Sequence, residues 1–110
     1  RYNIEYLNEL KLIHNSLICS YCGKKDLIIY GLKEINPNRL FMATIDHFIP
    51  KSSGIDRYNK SNMIVSCHKC NNKKGSKIYN LKELKYIYHY DGKLSELEKF
   101  IKVNTEYEID

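Results

Sequence analysis

Apolar residues at steps of three, Ile4, Leu7, Leu10 and Ile13, open the chain and predict an amphipathic helix over about 3–14. Two β-prone runs follow, Leu27 to Ile35 and Leu40 to Phe48, separated by the turn-rich tetrapeptide Asn36-Pro37-Asn38-Arg39. Together they predict a hairpin. From Ile49 to Ser61 the chain is polar and loop-like, with Pro50, Ser52, Ser53 and Gly54, and it leads to a short strand candidate at Asn62 to Ser66. Asn71-Asn72-Lys73-Lys74 then reads as the first turns of a short helix ended near Gly75. Asn80, with Glu83 three residues on, resembles a capping box ahead of Leu81, Leu84, Ile87 and Tyr88, which predicts a helix over about 81–90. Asp91-Gly92 breaks that pattern, and Leu94, Leu97, Phe100 and Ile101 mark a last amphipathic helix reaching about 103.

Helices at both ends and strands in the middle predict the α+β class, and 110 residues are the common size of a single domain over 1–110. No repeat, low-complexity tract or linker divides it. No apolar run approaches the ~20 residues that span a bilayer, so no membrane partner is expected. No basic start leads into an apolar stretch and a cleavage site, so the expected setting is intracellular, in the cytoplasm. A phage or mobile-element origin is compatible with that. The first residue is Arg1 rather than Met, which leaves room for a larger parent chain. The chain is rich in Lys, Asn, Ile and Tyr and lacks Trp, a bias an AT-rich genome produces by itself. The tyrosines therefore receive little functional weight.

The net charge of +5 changes the picture through its distribution. From Lys51 to Lys85, nine lysines and arginines face only Asp56 and Glu83, a net of +7, whereas Asp91 to Asp110 carries −3. Such a field steers a nucleic-acid backbone toward the middle of the chain. Taken alone, a solvated lysine-rich face explains it equally well.

All four cysteines lie in two C-x-x-C pairs, Cys19/Cys22 and Cys67/Cys70, with 44 residues between them. A two-residue spacer lets two thiolates converge on one tetrahedral Zn²⁺, and a second pair closes the site, as in structural zinc centres. Gly23 can take the positive φ that such a knuckle needs. Two disulfides or a dithiol redox centre are the alternatives, and an intracellular setting favours metal over both. His68, inside the second pair, reads as a surface residue because four thiolates already suffice.

The second signal is Asp46-His47-Phe48-Ile49-Pro50, then Asn62, then Cys67-His68-Lys69-Cys70-Asn71-Asn72-Lys73-Lys74. This D-H-x-x-P, N, C-x-x-C-N-x-x-K order resembles the HNH endonucleases of the ββα-metal superfamily, in the branch with a four-cysteine zinc. The resemblance covers about Cys19 to Lys77. It implies a small ββα-metal core over 19–77 with a four-cysteine zinc staple, flanked by the helices at 3–14 and 81–103. It also implies one catalytic Mg²⁺ or Mn²⁺ on Asp46 and Asn71, His47 as general base, Asn62 as a brace for the loop after His47, and Lys74, with Lys73 beside it, on phosphate. Where many members carry His as the third letter this chain has Asn71, and Ser52-Ser53-Gly54 stands where a glycine pair is common.

Elementary chemistry agrees with these roles. Phosphodiester hydrolysis needs a water, a base for its proton and a cation for the phosphate charge. An imidazole, with an ordinary pKa of about 6.5, can accept that proton at physiological pH. Carboxylate and amide oxygens suit Mg²⁺ or Mn²⁺. Because strand side chains alternate, Asp46 and His47 cannot share a face in a regular strand, so the strand must twist or end there. The expectation is metal-dependent cleavage of DNA; the resemblance implies a duplex nicked on one strand to leave 5′-phosphate and 3′-hydroxyl ends, with a homodimer as one route to double-strand breaks. A non-catalytic, zinc-stabilised nucleic-acid-binding module and an RNA-directed nuclease remain the alternatives.

Overall fold

In the computed structural model, which describes residues 2–29, 41–50, 59–75, 84 and 93–104, the opening stripe forms helix α1 (Tyr2–His14). Tyr6, Leu7 and Leu10 are its buried face. Ile13, expected on that face, is 63% exposed. The helix has run past the core by then and closes at Asn15, which takes φ 66° and donates its N–H to the Lys11 carbonyl at 2.8 Å. Asn tolerates this left-handed conformation better than most residues.

Two strands form an antiparallel pair, β1 (Ala43–His47) and β2 (Met63–Cys67), with Thr44 opposite Ser66, Ile45 opposite Val65 and His47 opposite Met63. This corrects the predicted hairpin between 27–35 and 40–48. The partner of β1 is the later apolar run, and the start of the earlier run meets β1's approach in parallel, through a bridge between Ile28 and Met42. Residues 27–29, the described start of that run, leave the first cysteine turn with Leu27 N–H on the Leu17 carbonyl at 2.9 Å. The predicted turn at 36–39 lies outside the described residues.

Between the strands a 3₁₀ turn, Lys60–Asn62, is capped by the Asn59 side chain, which accepts from Ser61 N–H at 3.0 Å. Helix α2 (His68–Lys74) follows β2 without a break. It starts three residues before Asn71, the predicted position, because the Cys67 thiol serves as its N-cap, accepting from Cys70 N–H at 3.4 Å. Gly75 ends it at φ 56°, with its N–H on the Asn71 carbonyl at 3.1 Å. That backbone conformation disfavours any residue with a Cβ.

Helix α3 (Lys93–Asn104) buries Leu97 and Ile101 completely, with Phe100 packed beside them. Its Glu96 accepts a hydrogen bond from Ser61 Oγ at 2.7 Å, tying it to the 3₁₀ turn. Of the helix predicted over 81–90, only Leu84 is described, half-buried against the core. The core joins α1, α3 and the strand pair through Leu10, Leu17, Phe48, Ile64 and Val65. Among the described residues no helix is long and apolar enough to cross a membrane.

Candidate active site

The first C-x-x-C closes as a turn in which Gly23, at φ 78°, donates its N–H to the Cys19 carbonyl at 2.9 Å. Ser20 N–H, within the same turn, binds the Val65 carbonyl of β2 at 2.9 Å. The second C-x-x-C straddles the β2–α2 junction. The two turns thus bring the thiols of Cys19, Cys22, Cys67 and Cys70 within 4.8 Å of one another. Four sulfurs around one tetrahedral zinc, each at ~2.3 Å, are roughly 3.8 Å apart, so this cluster fits that ion after small adjustments. Cys22 and Cys67 Sγ already lie 4.0 Å apart, and no cysteine is in a disulfide.

The thiols differ in acidity. Burial raises Cys19, yet the backbone N–H groups of Cys67, Cys22 and Tyr21 outweigh it and hold this thiol below its ordinary value. Burial pushes Cys67 up. Cys70 is pushed up strongly, by burial first and then by the neighbouring sulfurs. His68 stands outside the cluster, its Nε2 3.0 Å from Asn72 Nδ2.

Asp46 and His47 are the last two residues of β1, and both are buried. The Asp46 carboxylate is held from both cysteine turns. Tyr21, between Cys19 and Cys22, donates its hydroxyl to Oδ2, and Lys74, four residues after Cys70, places Nζ 3.3 Å from the same oxygen. Burial pushes the Asp46 carboxyl above its usual range, while Lys74, Tyr21 and the His47 amide favour the charged form.

Lys74 is the site residue that departs from expectation. The sequence predicts it on phosphate, but it is 1% exposed, and besides Asp46 its ammonium donates to the His47 carbonyl at 3.1 Å. A buried ammonium without a counter-charge is prohibitively costly, and Asp46 is that counter-charge. Lys73 and Lys69 remain exposed on α2.

Asn71 precedes Lys74 by three residues, one helical turn on the same face. Its Nδ2 donates to Thr44 Oγ1 at 3.1 Å. Thr44 in turn precedes Asp46 by two residues and shares its strand face. The pairs Asn71–Thr44 and Lys74–Asp46 occur in the same order, so α2 lies along β1 in the same direction. Asn62, also buried, accepts from Ile49 N–H and donates to the Ile49 carbonyl, both at 2.8 Å, while its own carbonyl accepts from Phe48 N–H at 2.9 Å. It therefore pins the backbone immediately after His47.

Tyr21 and Thr44 touch the candidate site residues Asp46 and Asn71, yet the sequence pattern does not single them out. Tyr21 is hidden among ten tyrosines, although its place inside a C-x-x-C is a signal. Thr44 is accessible through strand alternation, as the same-face neighbour of Asp46.

No curated protein and no solved structure matches the chain. A family model described as HNH endonuclease matches residues 19–77, the segment that holds both cysteine pairs, β1, β2 and α2. With more than half of its length in that match, the chain belongs to the HNH endonuclease family.

Proposed function

We propose that this protein is a zinc-stapled endonuclease that hydrolyses DNA phosphodiester bonds with His47 as general base and one divalent cation, Mg²⁺ or Mn²⁺, held by Asp46 and Asn71. The observation that carries this reading is the packing of α2 along β1, through Asn71 on Thr44 and Lys74 on Asp46 and the His47 carbonyl. It brings the Asp46 carboxylate and the Asn71 amide to the same face of β1, with His47 the next residue after Asp46 and its backbone carbonyl held by Lys74. When bound, the divalent cation supplies positive charge to the non-bridging and leaving oxygens of the phosphate. His47 takes the proton of the attacking water. Asn62 holds the backbone that follows the base, and Lys74 favours the charged form of the Asp46 carboxylate and holds it in place rather than meeting substrate. Phosphate contact falls to Lys73, with Lys69 and Asn72 beside it on the exposed face of α2.

The cluster of four thiols favours zinc as the structural ion. Duplex DNA is the substrate we favour, because the basic middle segment needs a dense row of phosphates to engage it. One observation supports a second reading, a nucleic-acid-binding module without chemistry: Asp46 already has a buried cation, Lys74, on its Oδ2.

The test is conversion of supercoiled plasmid to the nicked form with Mg²⁺, with Mn²⁺ and with EDTA, beside a single-stranded RNA of matched length. Metal-dependent nicking of the plasmid is expected. Salt-sensitive DNA binding without nicking under any of these conditions would select the second reading, and faster cleavage of the RNA would redirect the substrate.

A further inference from the structure

The hydroxyl of Thr44 has one proton and, among the described residues, two hydrogen-bond partners. One is the carbonyl of Ser66, its cross-strand partner, 2.9 Å from Oγ1. A carbonyl only accepts, so the Thr44 proton is committed there. The other neighbour is the Asn71 side-chain amide at 3.1 Å. With its proton spent, Thr44 Oγ1 can only accept, and the group facing it must be the NH₂ end of the amide. The carbonyl end, Oδ1, is thereby turned away from Thr44. An inverted amide would set two oxygens against each other with no proton between them.

We infer that Thr44 is a positioning residue that fixes the orientation of the Asn71 amide and so presents Oδ1, rather than Nδ2, to the catalytic cation. This rests on the metal role of Asn71 proposed above. It follows from hydrogen-bond accounting across three residues: the Ser66 carbonyl sets the Thr44 proton, and the Thr44 oxygen sets the amide. Only an oxygen can ligate a hard cation, since an amide NH₂ has no lone pair to offer. The orientation therefore separates a ligand from a group that repels the ion. Partners of this kind, which bind a ligand rather than the metal, typically govern affinity by about 10–100-fold.

The test uses the full-length, zinc-loaded protein titrated with Mn²⁺, the free ion being read by electron paramagnetic resonance. Thr44→Val keeps the branched shape and removes the hydroxyl; it is expected to weaken Mn²⁺ binding about tenfold or more, with zinc content unchanged. Thr44→Ser is expected to restore wild-type affinity. Thr44→Ala replaces the valine variant if that protein does not fold. Asn71→Ala sets the floor.

The second readout is the NMR spectrum of the Asn71 side-chain amide. In the wild type its protons should show a nuclear Overhauser effect to the Thr44 methyl group, and in the variant lacking the hydroxyl their shifts should move toward those of an exposed amide. Mn²⁺ affinity in Thr44→Val equal to wild type, or an amide signal unmoved by the substitution, would overturn the inference. Should the wild type take up no Mn²⁺, the metal role of Asn71 fails separately, and the amide signal still decides whether Thr44 orients it.

Discussion

Lys74 and Asp46 form a buried ion pair, with Nζ 3.3 Å from Oδ2, that joins the end of α2 to the end of β1. Breaking it by removing one member strands a charge in a poorly solvated place. Lys74→Met is therefore expected to lower the unfolding free energy by about 3–5 kcal/mol, measured by urea denaturation of the zinc-loaded protein. Lys74→Met with Asp46→Asn should recover much of that loss. A lysine serving only phosphate would leave stability unchanged on removal and weaken DNA binding alone.

Asn62 satisfies both backbone polar groups of Ile49. Asn62→Ala leaves a buried N–H and a buried carbonyl without their partner, which should cost about 2–4 kcal/mol. Asn62→Asp keeps the acceptor but turns a carboxylate oxygen toward the Ile49 carbonyl, so it should be no better. Urea unfolding gives the stability, and the nicking rate of the folded fraction should fall as well, because the backbone after His47 loses its anchor.

Zinc affinity should depend steeply on pH. Binding requires thiolates, and burial raises Cys67 and Cys70, so the ion must displace protons that these thiols hold firmly. Affinity therefore falls as pH falls, by about one decade per pH unit for each proton displaced. Calorimetry in buffers of different ionisation enthalpy counts those protons. Since Cys70 adjoins Asn71 and Tyr21 lies between Cys19 and Cys22, removing zinc should also abolish nicking in saturating Mg²⁺, and one equivalent of zinc should restore it.

The exposed lysines of α2 should act differently from Lys74. Lys69→Ala and Lys73→Ala are each expected to weaken duplex binding irrespective of sequence and to reduce the salt slope, log K against log[salt], by about 0.9 per lost phosphate contact. Fluorescence anisotropy over a salt series measures this, and an unchanged slope for both would move the phosphate path away from α2.

Much of this architecture is legible in the residues because it rests on short-range chemistry. Two C-x-x-C turns, a glycine able to take positive φ, and a helix ending at Gly75 are each specified within a few positions. The terminal helices are legible from apolar spacing, although Tyr6 replaces Ile13 on the buried face of α1. Strand pairing is not. Leu27 to Ile35 and Leu40 to Phe48 flank a turn-like tetrapeptide and look like natural neighbours, but β1 pairs with Met63–Cys67, whose position is tied to the first cysteine turn through Ser20 and Val65. The destination of Lys74 is equally hidden. A lysine one turn beyond Asn71 can point to solvent or inward, and the choice depends on the buried carboxylate that only the folded chain brings near.

The most direct measurement compares wild-type and His47→Ala protein, both zinc-loaded and matched for duplex binding, in single-turnover nicking of supercoiled plasmid with Mg²⁺ or Mn²⁺. With His47 as the base, the variant keeps its zinc, its fold and its DNA affinity, while its nicking rate falls by about 10²–10⁴-fold. Nicking by His47→Ala at the wild-type rate would contradict the account.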